Sequence, residues 1–323
     1  MHPSPAFIKS SLARWGLGDG AKARLINYSE NHTYQIDAPQ GRFCLRVHRP
    51  GYQSARSIES ELAWLSALQA DTDLSIPRPL PGQDGHALQA VCEAGVERYA
   101  VLFEFIEGVQ PTIASNLVPV FEQLGRQAAC LHNHTQIWQP PDRFERQVWN
   151  AGQVLDSNGL WGDWRRTEGV EGTARAVLDR LDEQLRTDLA AYGMSPDQFG
   201  LIHADMRLGN LLVDGSRLSV IDFDDCGYCW FAYDFAAAVS FHEAHDIVPE
   251  LKRAWLSGYL PVRSLSDEDV AAMDTMLLLR RMALLAWIGS HRETALAGHH
   301  RPGFLADTIK LAARYLDDRR LWI

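Results

Sequence analysis

The residues best suited to chemistry crowd into one stretch, Leu201 to Ala236, which reads LIHADMRLGNLLVDGSRLSVIDFDDCGYCWFAYDFA. His203, Asp205 and Asn210 precede an apolar run, Leu211 to Val213. A second run, Leu218 to Ile221, ends at Asp222, with Asp224 and Asp225 close behind. Between the runs stand the turn formers Asp214, Gly215 and Ser216, so the spacing predicts a β-hairpin. Such a hairpin would bring Asp205, Asn210 and Asp222 to one end of a small rigid sheet. Two carboxylates and one amide oxygen suit a hard cation such as Mg²⁺. They also suit phosphoryl transfer, where one Asp orients the attacking hydroxyl while an Asn and a second Asp hold metal. The plain alternative is a hairpin with polar turns, because Asp and Asn are common turn residues.

The order H-x-D-x-x-x-x-N, short hairpin, I-D-F resembles the catalytic and metal-binding loops of the aminoglycoside phosphotransferase and choline kinase family, small-molecule relatives of protein kinases. Tyr233-Asp234-Phe235-Ala236 is similar to the family's following helix, whose aspartate braces the catalytic loop. D-F-D-D-C-G-Y looks most like the subgroup of type II homoserine kinases, hydroxylysine kinases and a bacterial stress-response kinase. The resemblance implies an α+β, bilobal, protein-kinase-like fold. A small antiparallel β-sheet N-lobe would occupy residues 1–108 and a mostly helical C-lobe residues 109–323. ATP and Mg²⁺ are the implied cofactors. Asp205 would accept the hydroxyl proton, and His203 would orient its loop. Arg207, where many relatives carry His, would screen phosphate charge or exclude one acceptor type. Asn210 and Asp222 would hold the metal, with Asp224 supporting a second ion or its water.

These side chains need elements to carry them. Apolar residues at helical spacing in Ala6 to Leu17 predict a first helix. Ala23 to Tyr28, His32 to Ile36 and Arg42 to Val47 read as strands, resembling the glycine-rich hairpin and third strand of a kinase small lobe. Two departures stand out. The loop Tyr28-Ser29-Glu30-Asn31-His32 has no glycine, so Ser29 and Asn31 would supply side-chain donors to phosphate. Arg46 occupies the third-strand position where the family usually has Lys, and the two are not interchangeable. Ser54 to Leu68 is amphipathic, with Ile58, Leu62, Leu65 and Leu68 on one face. It carries Glu61, which resembles the family's partner of the strand-three cation; Glu59 is the competing candidate. His86 to Cys92 and Tyr99 to Phe105 read as strands. Phe103 to Gly108 resembles the hinge, where backbone groups of Glu104 and Ile106 would hold adenine and apolar side chains such as Phe105 would cover it.

Beyond the hinge the chain reads as helices over Leu117–His134, Gln147–Leu155, Gly172–Ala191, Phe231–Ala244, Val248–Tyr259, Leu265–His291 and Pro302–Tyr315. On the penultimate one Arg281, Trp287 and His291 share a stripe, which resembles the family's acceptor-side helices.

Composition narrows the partners. The 323 residues are 46% hydrophobic and 22% charged, ordinary for a globular protein. A net charge of −10 argues against nucleic acid as partner. Residues 1–108 hold 10 Lys plus Arg against 12 Asp plus Glu, and the remainder 21 against 29. The acidity of the later part hints at an amine-bearing acceptor. The five scattered cysteines imply no disulfide framework, and Cys226-Gly-Tyr-Cys229 lacks a second pair for zinc. No apolar run approaches membrane-spanning length, and no leader pattern is visible. The expectation is a reduced, cytoplasmic protein with no membrane partner. Three readings stand: an ATP-dependent kinase for the hydroxyl of a small molecule of amino alcohol or amino acid type, a serine/threonine protein kinase, or a non-catalytic nucleotide-binding protein. Intact Asp205, Asn210 and Asp222 speak against the last.

Overall fold

The computed structural model describes residues 3–18, 20–28, 31–93 and 95–321. The chain divides into two compact units. The first runs to Gly108 and adds two later segments, Gln139–Arg146 and Ser219–Asp224; the second comprises the rest.

In the first unit, α1 (Pro5–Ala13) is capped by Ser4, whose side chain accepts the Phe7 N–H. Strands β1 (Lys22–Tyr28), β2 (His32–Ala38) and β3 (Gly41–Val47) follow. Helix α2 (Ala55–Asp71) starts at the Ser54 cap, and β4 (Leu88–Glu93) and β5 (Val96–Glu104) follow. The strands form one antiparallel sheet in the order β1-β2-β3-β5-β4.

The period of two along a strand decides what β3 can do. Leu45 and Val47 turn to the face where Phe7, Ile8, Leu12 and Ile36 close a core. Arg46, one residue out of phase, therefore takes the opposite face, and His48 continues its row. β3 is flanked by β2 and β5, and the side chains of both its faces are buried, Leu45 and Val47 on one and Arg46 and His48 on the other.

In the second unit α3 (Val118–Ile137), the short α4 (Ala151–Leu155) and α5 (Gly172–Tyr192) lead into β6 (Phe199–Ile202). Next come β7 (Leu211–Asp214) and β8 (Arg217–Val220), the two-stranded sheet expected of the hairpin. β9 (Gly227–Trp230) pairs antiparallel with β6, a pairing that the apolar pattern does not announce. Four helices close the chain: α6 (Tyr233–Ala238), α7 (Val248–Tyr259), α8 (Asp267–Ser290) and α9 (Ala295–Asp318).

α3 and α7 approach until their backbones touch. A Cβ on Gly258 would lie 1.8 Å from the Glu122 carbonyl oxygen, and one on Gly125 would lie 2.1 Å from that of Trp255. α8 begins with a capping box between Ser266 and Asp269. Seventeen of its residues are buried, Arg280 and Arg281 among them. No helix among the described residues is long and apolar enough to cross a membrane.

Three elements depart from the sequence expectation. The helix expected over 147–155 begins only after the Asn150 cap, because Gln147 to Trp149 bond to Tyr228 as extended chain. The helix expected to run to Ala244 stops at Ala238, and Phe241 turns to φ 71°. The last helix starts earlier than Pro302, at a Thr294 cap, and kinks where Pro302 and Gly303 leave helical geometry.

Candidate active site

In the first unit the site is a buried ionic cluster on the Arg46 face of β3. Arg46 donates to Glu61 at 2.6 Å, and its other terminal nitrogen lies 3.5 Å from Asp222. Its guanidinium also covers the Phe103 ring at 5.1 Å. Glu61 is fully buried and Glu59 exposed, which settles the two candidates on α2. Burial opposes the Arg46 charge, but Glu61, Asp224 and Asp222 outweigh it and raise its pKa.

Asn31 and Asp224, expected as separate nucleotide and metal contacts, are bonded to each other: the Asn31 amide donates to Asp224 at 2.9 Å. Burial pushes the Asp224 carboxyl up, and the nearby Arg46 and Arg146 together with the Asn31 hydrogen bond overcome this and hold it below its usual range. Two residues that the sequence did not single out complete the cluster. Arg146 donates to the Ser57 carbonyl at 2.9 Å and to the Asp224 backbone carbonyl. His48 lies 3.8 Å from Asp224, and among the described residues neither ring nitrogen finds a hydrogen-bond partner. Burial, then Arg46, drives its pKa down to about 3.

Asp222 is half-exposed and takes φ 66°, a left-handed backbone uncommon outside glycine. In the segment expected to be the hinge, the Glu104 N–H donates to the Arg78 carbonyl at 3.0 Å. Phe105 and Ile106 are half-buried, and the Arg42 guanidinium covers Phe105 at 5.2 Å. Ser29 lies outside the described residues.

In the second unit the site is the loop after β6. Asp205 is 8% exposed. Its Oδ2 accepts the Asn210 amide at 2.6 Å and the Arg207 Nε at 3.3 Å, and its Oδ1 accepts Arg280 Nη2 at 2.5 Å. Asn210 also donates to the Asp205 carbonyl at 2.8 Å. With the amide nitrogen committed to Asp205, the Asn210 Oδ1 is left as an acceptor. His203 is fully buried and accepts the Asp205 N–H at 3.2 Å. Asp234 at the start of α6 accepts the backbone N–H of Ala204 at 2.8 Å and of His203 at 3.3 Å. It is held in turn by His132 at 3.0 Å, whose other nitrogen meets Tyr259 at 2.8 Å. His132, inside α3, thus serves the loop.

Arg280 was not legible as a site residue. Its neighbour Arg281 was, but its donors go to Thr308, Glu243 and the Phe304 carbonyl, at 2.8, 2.5 and 2.8 Å, so it braces the core. Trp287 is buried, edge-on to Phe241 and stacked on His291. An available signal was the pair of adjacent arginines inside a densely apolar helix, where each must find a buried partner.

The geometry amounts to a buried carboxylate aimed by three donors, an amide oxygen beside it, and a separate cation–carboxylate cluster with a half-exposed Asp. Residues 23–273 match the model of the phosphotransferase enzyme family. Over 99% of the chain the fold matches the structure of a microcompartment-associated aminopropanol kinase, with 40% identity, a TM-score of 0.91 and all of that chain covered. Amicoumacin kinase of Bacillus subtilis (strain 168) is 24% identical over 314 residues, 91% of this chain and 90% of that protein. The amicoumacin kinase hAmiN, solved in complex with AMP-PNP, Ca²⁺ and Ami, shares the fold over 97% of this chain and 94% of its own, at TM-score 0.79 and 21% identity. The chain belongs to the phosphotransferase enzyme family.

Proposed function

We propose that this phosphotransferase moves the γ-phosphoryl group of ATP to the hydroxyl of a small amino alcohol, with Mg²⁺ as the working cation. The observation that carries the reaction is the Asp205 carboxylate, buried, oriented by Asn210, Arg207 and Arg280, and set on a loop that Asp234 pins. Phosphoryl transfer asks a protein for positioning and charge neutralisation more than covalent chemistry, and this carboxylate is positioned. Asp205 receives a hydrogen bond from the acceptor hydroxyl and takes its proton as the bond to phosphorus forms. His203 and Asp234 keep the loop in register. Arg207 places a cation beside Asp205, where it would screen phosphate charge.

The donor set fits a hard divalent ion: the Asn210 amide oxygen and the half-exposed Asp222 carboxylate are oxygen ligands of the right kind. Asp224 fits less well, since its carboxylate answers Asn31, His48, Arg46 and Arg146, so the metal contacts fall to Asn210 and Asp222. Bound there, the ion would neutralise charge on the phosphates. Arg46, aimed by Glu61, supplies the nucleotide's cation from β3. The half-buried Phe105 and Ile106 offer apolar cover for the base.

The acceptor class rests on the likeness to an aminopropanol kinase across nearly the whole chain. The acidity of residues 109–323 agrees with an amine-bearing acceptor. The test is ADP release with 1-amino-2-propanol, ethanolamine, homoserine and a generic protein substrate, each with ATP and Mg²⁺. Turnover above background with 1-amino-2-propanol and not with the protein substrate supports the reading. Phosphate transfer only to the protein substrate would replace it with a protein kinase.

A further inference from the structure

The catalytic loop is gripped from α8 by one guanidinium whose three directions are all spent on it or its support. Arg280 is 1% exposed. Its Nη2 reaches Asp205 Oδ1 at 2.5 Å, its Nη1 the Ala204 carbonyl at 3.2 Å, and its Nε the Ser240 hydroxyl at 2.9 Å. The Trp161 ring lies 4.8 Å from the guanidinium and the Tyr233 ring 5.8 Å, limiting where it can swing. Ala204 sits at φ 65°, a strained backbone that persists only where the surroundings over-determine it. Here they do: Asp234 holds its N–H and Arg280 its carbonyl.

A carboxylate offers about four lone-pair positions, two on each oxygen. Asn210 and Arg207 use both on Oδ2, and Arg280 uses one on Oδ1. The position left for an incoming hydroxyl is therefore on Oδ1, the oxygen that Arg280 holds. We propose that Arg280 is the positioning residue of the reaction: with Oδ2 taken up by Asn210 and Arg207, it holds Oδ1 and fixes the direction from which that oxygen receives the acceptor hydroxyl. This rests on the reading of Asp205 as the group that takes the hydroxyl proton. A lysine at 280 would keep a point charge but could not span Asp205, Ala204 and Ser240 with a planar fork.

The test is a mutant cycle on the full-length chain with Arg280→Met, Arg280→Lys, Asp205→Asn and both double variants. ADP release is read with 1-amino-2-propanol as acceptor and again with water as acceptor, as slow ATP hydrolysis. Arg280→Met should lower kcat about 10²-fold, the scale for an ångström of misplacement, with the KM for ATP unchanged. Arg280→Lys should recover part of that loss. In the Asp205→Asn background neither change at 280 should cost more, because the group being positioned is gone. Costs that multiply in the double variants, or an Arg280→Met loss that only tracks its thermal unfolding, would overturn the proposal. Should Arg280→Met not fold, the Arg280→Lys arm of the cycle decides by the same rule. Asp205→Asn turning over as fast as wild type would instead remove the role given to Asp205, and Arg280's with it.

Discussion

Asp205 and Arg46 each sit among partners whose loss should leave different fingerprints. Asp205→Asn keeps the side chain's shape but has only one oxygen to accept from Arg280, Asn210 and Arg207, so nucleotide affinity should hold while turnover falls by about 10²–10⁴-fold. A coupled assay beside calorimetric nucleotide titration checks this. Arg46→Ala strands Glu61, a fully buried carboxylate, without its cation. Removing one partner of a buried pair costs about 3–5 kcal/mol, so the variant should unfold at clearly lower urea as well as bind ATP weakly. Arg46→Lys should retain most of both, since a cation still faces Glu61. His48 gives a pH signature. Its folded pKa of about 3 lies below the ordinary histidine value of 6.5, so the native state holds it neutral. In that window the unfolded chain binds the extra proton, and stability present above pH 6.5 is lost as pH falls towards 3, at about 1.4 kcal/mol per pH unit. Urea midpoints measured between pH 7 and 5 should fall more steeply in wild type than in His48→Gln.

Elements were legible where a periodic pattern met its own cap, and less so where tertiary partners overrode local preference. Helices α2, α7 and α8 lie where the sequence reading placed them, give or take a few residues at their ends. The helix expected over 231–244 ends early for a reason outside its own sequence. Unwinding after Ala238 lets Ser240 accept from Arg280 and Glu243 from Arg281, two buried cations that a continued helix would have had to satisfy otherwise. Asp205 and Asn210 could be named from motif order, because loop chemistry is local, and Glu61 was named, beside Glu59, from the helix that carries it. Arg146 and Arg280 could not, since their partners lie 78 and 75 residues away in the chain. The contact of α3 with α7 was equally silent, as one glycine per helix reads as a weak helix former. Alanine at Gly258 would gain about 0.5–1 kcal/mol from helix propensity. The 1.8 Å approach to Glu122 should reverse that sign, because overpacking costs about 1–3 kcal/mol. A lower urea midpoint in Gly258→Ala is the expected result, and a higher one would show that the helices can part.

Taken whole, the sequence reading of a β-sheet part followed by a helical part corresponds to the described architecture, but its single cut at residue 108 does not describe how the first unit is assembled. That unit takes in Gln139–Arg146 and Ser219–Asp224 as well. These segments are tied in by specific bonds: Ser219 to Ser75 at 2.6 Å, the Val220 N–H to the Ser75 carbonyl at 3.1 Å, and Phe223 edge-on to Trp64. A fragment ending at Gly108 would leave Arg46, His48 and Asn31 facing no Asp224, and Ser57 facing no Arg146. Expressed alone, it should show no cooperative thermal transition by circular dichroism; a sharp one would mean that the sheet and α2 suffice.

The same interleaving constrains how such a chain can exchange parts with a relative. A crossover at the hinge would hand the recipient a sheet whose ionic cluster is completed by someone else's residues 139–146 and 219–224. Chimeras that keep those two short segments with their own first 108 residues should inherit nucleotide handling intact, and those that split them should not. For this architecture the heritable piece is a set of three strands of text rather than one uninterrupted block.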